Sequence, residues 1–233
     1  MDYQTQLKIK RWLNKPFVTY GFLGIQTIVF VITALFPHSS LESSGVMFGP
    51  FVYFYHEYWR FVTPIFIHFS LLHFAVNSIV LYFIGQQVEA IYGHWRFLIL
   101  YLLSGVLGNA MSFAFNTAGV QSAGSSTSIF GIFGAFLLLG YYFKHNPAIQ
   151  GMVRQFALFV GMSLLFGIFD QSIDMWGHIG GIIGGLLMGN ILALPKNHGK
   201  FSIHARIISV LIFSFLIVLC LVYGLRKYSL LIG

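Results

Sequence analysis

Charge is what this sequence has least of: Lys and Arg number 13 and Asp and Glu six among 233 residues, so 8% is charged against 57% hydrophobic. A soluble domain of this length keeps a large solvated exterior that needs polar cover, and too little polar residue is present to supply it. Cysteine is almost missing as well. Cys220 stands alone, which excludes an intrachain disulfide framework and a cysteine-ligated metal site. No soluble domain, low-complexity tract or internal repeat is visible. With a mean hydropathy of +0.80, the chain is expected to be an all-α polytopic membrane protein. The net charge of +7 raises nucleic acid as a partner, but the basic residues lie at the ends of hydrophobic runs. They mark topology rather than a phosphate-binding face, and no nucleic acid is expected.

Long hydrophobic runs are what the sequence has in quantity. A bilayer core of about 30 Å takes about 20 apolar residues as helix, because lipid cannot satisfy backbone polar groups. Seven runs qualify, near 17–36, 66–88, 97–115, 126–143, 155–169, 175–194 and 207–225. The fifth is short, as expected of a tilted or partly exposed helix that makes a weaker wall. The first follows Lys8, Lys10, Arg11 and Lys15. It is too long for a signal-peptide core and lacks a small-x-small cleavage site, so a retained helix is expected.

With the N-terminus in the cytosol, Lys8, Lys10, Arg11, Lys15, Arg96, Lys144, Arg154, Lys196, Lys200 and Arg206 lie on the cytosolic side and Arg60, Arg226 and Lys227 on the outer side. That is ten against three, so the positive-inside rule puts the N-terminus in and the C-terminus out. Glu42, Glu57, Asp170 and Asp174 also fall outside. The divisions expected are a cytosolic segment at 1–16, a six-helix unit at 17–195 with a long outer loop at 37–64, and a linker with a seventh helix at 196–233. The outer loop carries FVYFYHEYWRFVTP, whose interleaved aromatics suit the headgroup region; an anchoring belt explains it as well as any specific role.

Ionisable and amide side chains inside a membrane helix cost about 2 to 3 kcal/mol each on insertion scales, so their positions carry information. The second run has HFSLLHFAVNSIV, in which His73 and Asn77 are four apart on one helix face and His68 lies five residues back, further round and nearer the outer end. The fourth begins with Ser125, Ser126, Thr127 and Ser128, and the sixth, DMWGHIGGIIGGLLMG, holds His178 about one turn inside its outer end. These three runs all pass from outside to inside. His68, His73, Ser126 and His178 are therefore expected at one level, and polar groups from three helices at one depth look like a site.

Small residues indicate which helices touch. Gly177, Gly181, Gly185 and Gly189 recur every four residues, with Gly180 and Gly184 beside them, as a groove along one face; Thr127, Gly131 and Ala135 form a matching stripe. Packing alone accounts for both stripes, but not for the histidine beside one and the serine beside the other. A serine hydroxyl needs a base, most often a neutral histidine, and acyl transfer needs donors aimed at the oxyanion. The start of the fourth helix supplies backbone N–H groups, and His73 and Asn77 supply side-chain donors. Only a third acid is missing from a serine hydrolase.

At these residues the sequence resembles the rhomboid intramembrane serine proteases, over about 10–195, with the seventh run similar to the extra C-terminal helix of many members. Trp59-Arg60 resembles the Trp-Arg pair of the first outer loop, and His68-x4-His73-x3-Asn77 the second-helix motif. Gly124-Ser125-Ser126-Thr127 with Phe130-Gly131 resembles the Gly-x-Ser-Gly nucleophile motif, and His178-x2-Gly181-x3-Gly185 the sixth-helix motif. The resemblance implies a rhomboid-like six-helix bundle plus one C-terminal transmembrane helix. It implies a Ser-His dyad of Ser126 and His178, an oxyanion held by the Ser126 N–H with His73 and Asn77, His68 as a supporting hydrogen-bonder, and Gly124 in the approach loop. It implies no cofactor and no metal. The substrates implied are single-pass transmembrane proteins, cut in or near the outer part of their membrane segment after lateral access past the second and fifth helices. Thr127 departs from the motif, which usually has glycine there. It is β-branched and falls on the packing stripe, although threonine is accepted at small-residue contacts and its hydroxyl can bond back to the helix.

Plainer readings stand beside these. Ser125 or Ser126 is explained as an N-cap, Ser128 as a packing residue, Ser122 as part of the approach loop, and intramembrane histidines as structural hydrogen-bonders. Asp174, four before His178, invites a triad, but is expected at or beyond the helix end and exposed. His56-Glu57 is followed by Arg60 where a zinc protease needs histidine. The alternatives are a catalytically weak or inactive rhomboid-like binder of membrane clients, supported by Thr127, and a small transporter using the histidines. The transporter lacks acids in mid-membrane.

Overall fold

A backbone N–H in lipid has no partner but its own helix, and each of the seven hydrophobic runs is helical. The computed structural model describes residues 15–37, 40–169, 173–195 and 201–230. The expected segment at 1–16, Asp170 and the linker residues 196–200 therefore lie wholly or largely outside the described residues. The long helices are α1 (Phe17–Leu35), α4 (Leu71–Tyr92), α5 (His94–Phe115), α6 (Ser126–Tyr142), α7 (Pro147–Phe169), α8 (Met175–Leu192) and α9 (Ile203–Leu230). Two short helices, α2 (Ser40–Gly45) and α3 (Gly49–Tyr55), lie in the loop after α1. Among the described residues five helices, α1, α4, α5, α8 and α9, are long and apolar enough to cross a bilayer, and α6 is a shorter apolar helix of 17 residues. The chain is an all-α, multi-pass membrane protein.

The helix α5 is the central post, buried along most of its length. Against it and α6 lies α8, while α1, α4, α7 and α9 form the outer layer and turn apolar side chains such as Leu72, Leu158 and Leu211 outward. The glycines of α8 face two neighbours rather than one groove. Gly181 and Gly185 sit on the backbone carbonyls of Thr127 and Gly131 in α6, whereas Gly180 and Gly184 sit on the backbone of Gly108 and Ser104 in α5. A Cβ at Gly185 would fall on the Gly131 oxygen, so glycine is required for these backbones to meet.

Three expectations are corrected. The fifth helix is not short: α7 runs 23 residues, because the polar stretch holding Gln150 and Arg154 extends the apolar run as helix. The second helix begins at Leu71, capped by the Ser70 hydroxyl, which accepts from His73 N at 3.1 Å, so His68 precedes the helix instead of lying on it. The seventh helix is longer than 207–225.

At the end opposite the serine, buried Glu89 of α4 accepts from Val18 N (3.0 Å), Thr19 N (2.8 Å) and Thr19 Oγ1 (2.6 Å), and pairs with His94. One carboxylate thus satisfies the orphan donors that begin α1. The loop between α1 and α4 is ordered around Arg60. Its fully buried guanidinium pairs with Glu57 and donates to Ser43 O and Val46 O, while Trp59 donates to Ser44 O from an exposed position. A two-residue strand, β1 (Met47–Phe48), pairs antiparallel with β2 (Gln121–Ser122) and ties that loop to the segment leading into α6.

Candidate active site

Chain reversal at Gly124 sets the position of Ser126. Gly124 has φ of +126°, a conformation L side chains rarely adopt, and its N–H donates to Pro64 O at 2.9 Å. A Cβ there would also come within 2.6 Å of His73 Nε2. Glycine therefore serves the turn and leaves room for an imidazole beside the first turn of α6.

Ser126 is the first residue of α6, and its Oγ lies 3.0 Å from Nε2 of buried His178 on α8. The His178 ring stacks on Phe130, one turn along α6, with centroids 4.0 Å apart and planes 8° from parallel, which fixes the plane of the imidazole. Among the described residues His178 Nδ1 has no hydrogen-bond partner. Asp174 does not fill that place. It is a partly buried N-cap rather than an exposed residue beyond the helix: its Oδ1 accepts from Gly177 N (2.7 Å) and Asn116 Nδ2 (2.9 Å), and its Oδ2 is buried without a partner among the described residues. The pair is thus a serine and a histidine without a carboxylate on the distal nitrogen.

By helix geometry the N–H groups of Ser126, Thr127 and Ser128 have no carbonyl one turn back, and the helix dipole makes this end favourable for negative charge. His73 flanks it from α4, its ring 5.1 Å from that of His68. The Asn77 amide, expected to point at the site, donates to His73 O at 2.9 Å on its own helix, leaving one amide hydrogen for another acceptor. In the loop before α4, burial, and secondarily the nearby His73, hold the His68 imidazole down to about 3, against a smaller upward pull from the Phe66 backbone. That ring is neutral at neutral pH, and its Nε2 accepts the Ser125 N–H at 3.5 Å. Ser125 occupies the N-cap position without making a side-chain cap, and Ser128 packs against Gly105.

Thr127 fits where the motif has glycine. It is 4% exposed, and its methyl rests against Gly108 of α5 and Gly177 of α8, two positions with no Cβ to collide with. Its hydroxyl does not bond back to the helix; Oγ1 has no partner among the described residues. Gly108 was the signal that sequence reasoning missed, along with Phe130 as a stacking partner and Asn116 as a link to Asp174. Among the described residues no group of three or more His, Cys, Asp or Glu is arranged to hold a metal.

The model of the Rhomboid domain matches residues 55–195, more than half of the chain and all of the site just described. The chain belongs to the rhomboid family. Rhomboid protease GluP of Bacillus subtilis is 34% identical over 219 residues, 93% of this chain and 42% of that protein. Putative rhomboid protease YdcA of the same organism is 26% identical over 80% of this chain and 92% of its own length. RHOMBOID-like protein 1 of Arabidopsis thaliana is 32% identical over 70% of this chain and 42% of that protein. This rhomboid chain thus spans about two fifths of the length of GluP and of the Arabidopsis relative.

Proposed function

We propose that this rhomboid is an intramembrane serine endopeptidase that cuts single-pass transmembrane proteins in or near their membrane segment, with Ser126 as nucleophile and His178 as base. The observation that carries the reading is the 3.0 Å approach of Ser126 Oγ to His178 Nε2 at the start of a helix. Ser126 Oγ adds to the scissile carbonyl carbon as its proton passes to His178 Nε2. The tetrahedral oxyanion is held by the Ser126 N–H with His73 and the remaining Asn77 hydrogen. The C–N bond then breaks, the amine leaves with the proton from His178, and a water deprotonated by His178 hydrolyses the Ser126 ester. A positioned base contributes about 10²- to 10⁴-fold and each oxyanion donor about 10²- to 10³-fold.

The outward-facing apolar surfaces of α4 and α7 support lateral access of a substrate helix between them. A π-helical turn at Leu81–Gly85 interrupts α4. The excess of basic residues at the opposite end supports a cytosolic N-terminus and a site that opens on the outer side. The accommodation of Thr127 between Gly108 and Gly177 supports an active enzyme over an inactive client binder. The test is cleavage of a single-pass substrate in proteoliposomes: wild type is expected to cut and Ser126→Ala to leave the substrate intact, and equal cutting by both would refute the assignment.

A further inference from the structure

Polar side chains and backbone groups at the Ser126 end of the bundle are linked by hydrogen bonds into one network that lies outside the Ser126–His178 contact and reaches it through the backbone. Its hub is the last turn of α5, whose final carbonyls have no intrahelical donor. Lys227 of α9 supplies one: its Nζ donates to Phe113 O at 2.6 Å and Asn116 O at 2.9 Å, and it lies 4.5 Å from the centroid of the Tyr228 ring. A lysine near a helix end ordinarily reaches for water. This one is half-buried and turned to the negative end of the α5 dipole instead.

From that anchored turn two arms leave. Asn116 Nδ2 donates to Asp174 Oδ1 at 2.9 Å, and Asp174 in turn accepts Gly177 N on Oδ1 (2.7 Å) and His178 N on its carbonyl (3.0 Å). The same amide donates to Ser112 Oγ at 2.8 Å, and Ser112 Oγ lies 3.0 Å from Ser122 Oγ, both serines buried. Ser122 belongs to β2, four residues before Ser126. One side chain, Asn116, therefore holds both the strand that leads to the nucleophile and the cap of the helix that carries the base.

We propose that Lys227, Asn116 and Asp174 are positioning residues that set the approach of Ser126 to His178, so that the seventh helix is part of the apparatus and not an appended span. The proposal rests on the reading of Ser126 and His178 as the dyad. It differs from simple stabilisation in one respect: removing Lys227 and removing Asp174 break the same chain, so their effects on turnover must not add.

The experiment uses the full chain in proteoliposomes with a single-pass substrate, kcat being counted per serine labelled by a fluorophosphonate. Lys227→Met and Asp174→Ala are each expected to lower kcat about tenfold or more, with KM changed less than about twofold, since small misplacements of a reacting group cost up to about 100-fold. The double variant is expected to fall no further than the worse single one. Lys227→Arg, which still reaches two carbonyls, and Asp174→Asn, whose amide oxygen accepts the same two donors, are expected to restore kcat to within about threefold. Asn116→Ser replaces Lys227→Met in the cycle if the latter is not recovered folded. Wild-type kcat in the single variants, additive losses, or no rescue by the conservative variants would overturn the positioning role while the dyad stands. A wild type that neither cleaves nor labels would instead overturn the dyad reading, and this proposal with it.

Discussion

Replacing Thr127 by glycine tests whether the residue hinders the helix contact or fills it. The side chain is buried, with its methyl against Gly108 and Gly177 and its hydroxyl unpartnered among the described residues. Deleting it forfeits the dispersion contacts of a buried methyl, each of about 0.1 to 0.2 kcal/mol and together about 1 kcal/mol. Backbone freedom in the unfolded chain adds about 0.5 kcal/mol to the loss. Removing an unsatisfied buried hydroxyl relieves about 1 kcal/mol. The expected net is a small destabilisation, below about 1 kcal/mol, with no gain in turnover. Thr127→Val separates the terms, because it keeps the shape and removes only the hydroxyl; it is expected to stabilise by about 1 kcal/mol. Thermal unfolding of the purified protein in detergent reads both variants, and kcat on a single-pass substrate reads the site. A rise in kcat of about tenfold or more in Thr127→Gly, equivalent to about 1.4 kcal/mol of barrier, would show that threonine obstructs the site and refute the reasoning.

Three further outcomes are expected. Glu89→Ala strands the Val18 and Thr19 N–H groups that begin α1 and is expected to cost about 2 to 3 kcal/mol in an unfolding titration; a loss under about 0.5 kcal/mol would contradict the bridge. Gly124→Ala places a Cβ against His73 on a backbone of positive φ, and is expected to lower kcat about 100-fold while circular dichroism keeps its helical signal; full activity would contradict the geometry. Gly185→Ala puts a methyl on the Gly131 carbonyl, and the forced parting of α6 and α8 is expected to cost about 3 kcal/mol in thermal unfolding, with an unchanged midpoint contradicting the contact.

The membrane spans were legible because lipid imposes one rule on a backbone, and seven hydrophobic runs obey it. The glycines of α8 were legible as a packing surface because spacing by four puts residues on one helix face. Their division between α5 and α6 was not, since both helices carry small residues at the same spacing, Ser104, Gly108 and Ser112 in one and Thr127, Gly131 and Ala135 in the other, and spacing alone does not say which glycine meets which. Helix ends were read least well. Hydropathy registers α7 only where it is apolar, so its first turns with Gln150 and Arg154 were missed, and it registers His68 as part of a run although Pro64 and the Ser70 cap delay the helix to Leu71. Ser126 and His178 stood out because each sits beside a small-residue stripe. Asn116 and Lys227 did not, and Asp174 did so only as a possible triad acid, because polar residues at span ends are ordinary and only the fold brings these three together.

The central claim is that Ser126 is a nucleophile activated by His178. The direct measurement is reaction of the reconstituted protein with a fluorophosphonate, followed by mass spectrometry of the labelled peptide, in wild type, Ser126→Ala and His178→Ala. An adduct is expected on Ser126 in wild type, none in Ser126→Ala, and labelling slowed at least about 100-fold in His178→Ala. Absence of an adduct on Ser126 in folded wild type, or undiminished labelling without His178, would contradict that claim.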